Sequence, residues 1–312
     1  MNIIEKRKIF LTISAILIVI SIVMLFVRGL NLSIDFTGGS RLELAKDFDG
    51  EVLSRDEIEN IYNEQKIKIN SIQETDGGYR ISSSSISEQE KDKIIERLKA
   101  QELSFEFLGP TIGNETKNKA IVAVLIAILA ITTYIAIAFR KSGGVISSWK
   151  FGVAAIIALA HDVIITLGAF SLFGLLFEVE IDALFVTAIL TIMGFSVHDT
   201  IVVFDRIREN ITNNVKRLSF GEVVNNSIKE TIGRSLNTSV TVIFVLFAMA
   251  LFGGESIRWF IIAFIIGVVV GTYSSIFIAS PILLEWHNMD KNGGFKSLKS
   301  RLNLGGGGKN DT

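Results

Sequence analysis

The chain contains no cysteine, only two prolines and only three histidines in 312 residues. Without cysteine, disulfides and thiolate metal sites are excluded. His161, His198 and His287 are scattered without ligand spacing, so a metal centre is not expected. Scarce proline suits a mostly helical chain. Neither sign of charge dominates: 31 Lys and Arg face 32 Asp and Glu, a net charge of −1, which gives no hint of nucleic-acid binding. A glycine-rich phosphate loop and a nucleophile–base pair are both missing, so neither a cofactor nor an enzymatic activity is expected.

Apolar residues are what the chain has in excess. They make up 49% of it, and the mean hydropathy is +0.47. Six runs are long enough to cross a bilayer, which takes about 20 apolar residues: Ile9–Val27, Ala120–Phe139, Phe151–Phe177, Ala183–Phe204, Leu236–Phe252 and Ile257–Leu284. The third and sixth exceed the minimum and have room to tilt. The first is not expected to be a cleavable signal peptide, because Phe26-Val27-Arg28-Gly29-Leu30 offers no small-residue cleavage pattern.

Loop charges set the orientation. Lys6, Arg7 and Lys8 precede the first run, and Arg140, Lys141 and Lys150 flank the second connection. Arg206, Arg208, Lys216, Arg217, Lys229 and Arg234 lie in the fourth, and Lys291, Lys296, Lys299 and Arg301 follow the last run. These basic segments alternate with short loops carrying Glu178, Glu180, Asp182 and Glu255. The positive-inside rule puts both termini in the cytoplasm of a multi-pass membrane protein and the segment after Gly29 outside. The chain then divides into a cytoplasmic N-terminus and first span (1–28), an extracytoplasmic domain (29–118), a five-helix bundle (119–290) and a flexible tail (291–312). Within the bundle, the cytoplasmic connection 205–235 contains an amphipathic stretch, Phe220–Ile228, expected to lie along the inner membrane surface.

The outer segment alternates periods. Arg41–Leu44 reads as a strand, and Ser54-Arg55-Asp56-Glu57 opens a helix with a capping box. Ile67, Ile69 and Ile72 alternate as a second strand. Asp76-Gly77-Gly78 is a turn into a third strand, Tyr79–Ser83. Ser87-Glu88-Gln89-Glu90 starts a second helix, and Phe105 and Phe107 mark a last strand. The order β-α-β-β-α-β predicts a ferredoxin-like domain of about 75 residues. Such a fold serves many functions and identifies none.

Two acids stand inside apolar runs. An intramembrane carboxylate costs roughly 2.5 kcal/mol or more and is a functional-site hypothesis by default. Asp199 follows His198 in the fourth run, five residues before Phe204, and is either an ion-binding group or a solvated helix-end residue. Asp162 lies about a dozen residues into the third run, ~18 Å at helical rise. It serves either as a polar clamp between helices or in an ion path. His161 beside it points about 100° away around the helix, so the two need not share a partner. His198 is able to titrate near neutrality, although lone histidines more often pack. Gly267, Gly271 and Ser275 form a small-xxx-small stripe suited to close helix contact, within the bundle or with a partner.

Five segments then resemble one family. Asp35-Phe36-Thr37-Gly38-Gly39 is similar to the DFTGG signature of the SecF family. His161-Asp162-Val163 also matches that family, as do Val197-His198-Asp199-Thr200 through Asn210, Thr231–Ser239 and Gly254–Phe260. Together they cover the chain from Asn2 to about His287. One departure is Ser33, where the family usually carries glycine. The resemblance implies an accessory subunit of the Sec protein-export machinery, with SecD and the SecYEG translocon as partners, an unfolded preprotein as client and membrane lipid around it. It further implies that a proton or sodium gradient drives the outer domains, in the manner of the RND superfamily. On these matching positions Asp199 is the ion-coupling carboxylate, and Arg234 is a functional arginine, although Arg234 also reads as a positive-inside anchor. Gly38 and Gly39 would turn the chain from span to strand, with Asp35 capping or orienting the turn. Because no SecD half is fused here, SecD is expected as a separate chain. The competing readings are half of an RND-type small-molecule or lipid exporter and a passive translocon scaffold.

Overall fold

Helix starts are set by short side chains. Ser54, Ser87 and Ser219 each accept a hydrogen bond from the backbone N–H three residues on, and Glu57, Glu90 and Glu222 reach back to the serine N–H. Each reciprocal cap contributes about 1 kcal/mol. The computed structural model describes residues 3–49, 51–139, 147–214 and 218–291. Six helices among them are long and apolar enough to cross a membrane. The basic loop residues Arg140, Lys141, Lys216 and Arg217 and the glycine-rich tail fall outside the described residues.

The first span is α1 (Arg7–Val27), followed by the short helix α2 (Ile34–Thr37). The domain between the first two spans, the expected outer domain, comprises β1 (Gly39–Ala45), the two-residue strands β2 (Asp47–Phe48) and β3 (Glu51–Val52), α3 (Arg55–Glu64), β4 (Ile69–Thr75), β5 (Gly78–Ser83), α4 (Glu88–Leu98) and β6 (Glu102–Leu108). Its sheet is antiparallel in the order β4-β5-β1-β6, the split-βαβ arrangement. Alternation in β1 and β5 sends Leu42, Leu44, Tyr79 and Ile81 toward Ile58, Tyr62, Ile94 and Leu98 of the two helices. The other face of the sheet is polar, with Arg41 paired to Glu106 and Arg80 to Glu43. The β2–β3 hairpin was not expected from the sequence; with two residues per strand it has no period to read.

The remaining spans are α5 (Pro110–Ala138), α6 (Ser148–Phe177), α7 (Ala183–Asn214), α8 (Phe220–Phe252) and a last span. That last span runs as α9 (Arg258–Ser274), a π-helical turn (Ser275–Ala279) and α10 (Ser280–Lys291). The core of the bundle gathers Phe151, Ala154, Ala158, Ile189, Ile192, Ala263 and their neighbours, and Phe139 stacks on Phe151 at one end.

One expectation is corrected. Residues 205–235 do not form a loop with a separate helix lying on the membrane. Nothing breaks either helix, so α7 continues to Asn214 and α8 starts at Phe220 and runs unbroken into the next span. The two extensions pack against each other through Ile207, Ile211, Val224 and Ile228. Polar bonds from Asn210 to Ser227 (3.0 Å) and from Arg206 to Glu230 (2.5 Å) seal the pair. The apolar stripe read as membrane-facing meets a neighbouring helix instead.

Candidate functional site

Three spans bring small hydroxyls to the two intramembrane acids. Asp162 on α6 is fully buried. Its Oδ2 accepts from Ser196 Oγ on α7 (2.5 Å) and from Ser274 Oγ on α9 (2.8 Å). Its Oδ1 lies 2.8 Å from Nδ1 of His161. The expected separation of these neighbours is therefore corrected: a 100° step between adjacent backbone positions does not stop both side chains from turning into one buried pocket. His161 stacks on Tyr273, whose hydroxyl donates to the Phe10 carbonyl (3.0 Å), and its Nε2 has no hydrogen-bond partner among the described residues. Asp162 thus ties α6 to α7 and α9 with both oxygens occupied.

Asp199 on α7 differs. Its Oδ1 accepts from Ser235 Oγ on α8 at 2.5 Å. Its Oδ2 is buried and receives no hydrogen bond among the described residues. Arg234 precedes that serine, is exposed, and acts on the carboxylate through its charge; His198, the residue before Asp199, is exposed as well. The layer continues through Ser239, which meets Thr272 on α9, and through Thr200, bonded to Ser275 at 2.8 Å. A buried carboxylate with one bonded and one unbonded oxygen has capacity for a proton or a small cation. A carboxylate filled by three donors has much less.

The small-residue stripe faces inward. A Cβ at Gly267 would lie 2.3 Å from side-chain carbons of Ile192, and one at Gly271 would lie 3.0 Å from Ser196 Cβ. These glycines let α9 approach α7 closely enough for Ser274 to reach Asp162 and for Ser275 to reach Thr200. Thr200, Ser235 and Ser239 of this layer fall inside family-like segments and Ser275 in the small-residue stripe, whereas Ser196, Thr272 and Ser274 carry no motif and show themselves only as hydroxyls on apolar helices.

The segment Asp35–Gly39 joins the first span to β1. Ser33 caps α2, accepting from Asp35 N (3.2 Å), and Thr37 Oγ1 donates back to the Ser33 carbonyl (3.0 Å). Phe36 is buried in the bundle core. Asp35 caps not its own turn but α7, where its Oδ2 accepts from Ala183 N at 3.0 Å. Gly38 and Gly39 adopt φ of +69° and +138°, and side chains there would run into Pro110 and the Ser83 carbonyl.

The loop between α6 and α7 holds the outer domain. Glu178 accepts from the Ile72 N–H (2.8 Å) and from Arg55, and its carbonyl accepts from Gln73 Nε2 (2.7 Å). Glu180 accepts from Ser71 Oγ (2.6 Å) and Ser82 Oγ (3.0 Å), with Arg41 at 3.9 Å. Burial pushes the Glu180 carboxyl above the usual carboxylate range, against the pull of those hydroxyls and of Arg41. Asp182 is shifted the same way, by burial first and then by Asp35.

Comparison with known proteins gives one family throughout. Residues 88–289 match the family described as protein export membrane protein SecD/SecF, C-terminal, and residues 23–45 match the SecD/SecF GG motif. A protein translocase subunit SecF from Thermobaculum terrenum is 43% identical over 93% of this chain and 95% of its own length. A SecF from Anaerolinea thermophila is 41% identical over 95% of this chain and 97% of its own. The crystal structure of SecDF, a translocon-associated membrane protein from Thermus thermophilus, superposes with a TM-score of 0.80 at 32% identity. It is matched by 92% of this chain, which spans 39% of that longer protein.

Proposed function

This chain belongs to the SecF branch of the SecD/SecF protein-export family, and from that premise we propose how its buried carboxylates serve polypeptide translocation. The chain works beside a SecD half in the bacterial cytoplasmic membrane, with both termini on the cytoplasmic side. It acts on preproteins leaving the SecYEG translocon, and its role is mechanical rather than a covalent catalysis. Energy comes from a proton or sodium gradient.

The observation that carries this reading is the half-satisfied carboxylate of Asp199. Ser235 holds one oxygen in place, while the other is free to take an ion inside a low-dielectric bundle. Arg234, beside Ser235 on α8, supplies a fixed positive charge that attracts the ionised carboxylate and competes with a bound cation. Relative movement of α7 and α8 alters the distance between these charges, and that change is the transduction step. His198, the residue before Asp199, is exposed beside it. Asp162, bonded on both oxygens, secures the frame in which this happens.

Asp199→Asn keeps size and hydrogen bonding but removes the titratable charge. It should abolish ion-dependent stimulation of reporter secretion while SecD still co-purifies. Arg234→Met should do the same. Secretion by Asp199→Asn that stays normal and still responds to an ionophore would refute the assignment.

A further inference from the structure

The outer domain is attached to the bundle in two different ways on opposite sides of its sheet. Both covalent tethers lie at the β1–β6 side. β1 begins at Gly39, β6 ends at Leu108, and these two residues are register partners. Gly38 and Gly39 precede one strand, and Gly109 and Pro110 follow the other. The tethers touch at Gly38, where an added Cβ would lie 2.6 Å from Pro110 Cα. At the far edge, β4 and β5 are held to the bundle by polar side chains, chiefly Glu178 and Glu180. Glu255 adds a third point, accepting from Asp76 N at 2.7 Å. Between the polar face of the sheet and the helix ends lies a cavity of about 500 Å³, lined by Arg41, Glu43, Arg80, Glu106, Glu180 and Asp182 among others. A polar interface over a cavity, with glycines at one edge, is built to separate and re-form.

We infer that the outer domain closes on the membrane helices as a jaw, pivoting at Gly38–Gly39 and Gly109–Pro110, and that Glu180 is the residue that latches it. Glu180 is thus a positioning residue for the ion-driven cycle, and this link to translocation rests on the function proposed above. Both of its oxygens bridge to the sheet, one to β4 and one to β5, from the loop that leads straight into α7. Displacement of α7, which bears Asp199, is thereby delivered to the far edge of the sheet.

The latch responds to external pH with a defined sign. Around Glu180 stand Ser71, Ser82 and Arg41 from the sheet and Asp35 and Asp182 from the bundle side, and Glu43, Arg80, Glu106 and Glu255 face the same cavity. In the closed state burial dominates and raises its proton affinity; in the open state water restores the ordinary value. Closure therefore takes up a proton. Acid outside favours the closed jaw, and the advantage is lost as pH rises through the raised value.

The test uses spin labels on the full chain in lipid nanodiscs, which the cysteine-free sequence permits without background. Asn63→Cys on α3 and Ser256→Cys beyond α8 are both exposed. Their separation should be short at about pH 5 and gain a longer population toward about pH 8. Glu180→Gln, an uncharged isostere, should stay short at both. Glu180→Ala should open the jaw at acid pH, and Glu180→Asp should keep the pH response with a smaller closed fraction. Asp182→Asn should leave a pH response in place, because Asp182 bonds the Phe185 N–H at the start of α7 whereas the bonds to β4 and β5 are made by Glu180. Asp199→Asn should also retain the pH-driven distance change, so failure of the ion-site reading and failure of the latch give different results. A wild-type distance indifferent to pH, a Glu180→Gln that opens, or a pH-locked Glu180→Gln that secretes normally overturns the inference.

Discussion

Removing the Asp162 side chain tests whether that residue is a clamp. In Asp162→Ala two interhelical bonds disappear, from Ser196 on α7 and from Ser274 on α9, together with the contact to His161. Interhelical hydrogen bonds in membranes contribute about 0.6 kcal/mol on average and about 1.7 at most. The pair then accounts for about 1.2 kcal/mol, rising to about 3.4 at the upper limit. At the lower figure the unfolding equilibrium constant rises roughly eightfold, since 1.4 kcal/mol is tenfold. Asp162→Asn should cost much less, because an amide oxygen still accepts and the serine hydroxyls rotate to accept from its NH2. The assay is reversible unfolding in mixed micelles, followed by fluorescence of Trp149, Trp259 and Trp286. An Asp162→Ala protein as stable as the parent would refute the clamp, and so would an Asp162→Asn protein as unstable as Asp162→Ala.

Two further outcomes follow from the geometry. Gly267→Val places methyl groups where Ile192 already sits, so it should destabilise the bundle by about 1–3 kcal/mol; unchanged unfolding would mean that α9 and α7 are not in close contact there. A cysteine at exposed Ser85 should react with an impermeant maleimide added to intact cells, whereas one at Ser219 should react after permeabilisation alone; the reverse labelling would invert the orientation and remove the export reading.

Much of this architecture is legible from local chemistry. The membrane helices announce themselves by length and composition, and the outer domain by alternating periods and by Ser54 and Ser87, each with its glutamate three residues on. The boundary that failed is that of α7 and α8. Ile207, Ile211, Val224 and Ile228 form an apolar stripe, and a stripe alone does not say whether lipid or another helix covers it. At the site, both carboxylates stand out because charge in an apolar run is costly, but their partners do not. Ser235 lies in the family-like segment Thr231–Ser239 without being marked there as a ligand, and Ser196 and Ser274 are ordinary residues until the fold brings all three within 2.8 Å of a carboxylate. Glu180 was visible as a loop charge that set orientation. Its role on the sheet depends on Ser71 and Ser82, more than 90 positions away, a distance no periodicity spans.

The cap that Asp35 places on α7 ties together residues 148 positions apart. During synthesis the N-terminal part of a chain is made and begins to fold first. Asp35 therefore follows the first span into place long before Ala183 emerges. The first N–H groups of a helix need partners, and near the hydrocarbon each one left bare is expensive. The entry point of α7 is thus prepared by an earlier part of the same chain, and the helix that bears Asp199 settles at its final depth against an acceptor already in place. Assembly acquires an order: first span, sheet domain, then the helix that bears Asp199, with the Asp35 bond joining the last to the first.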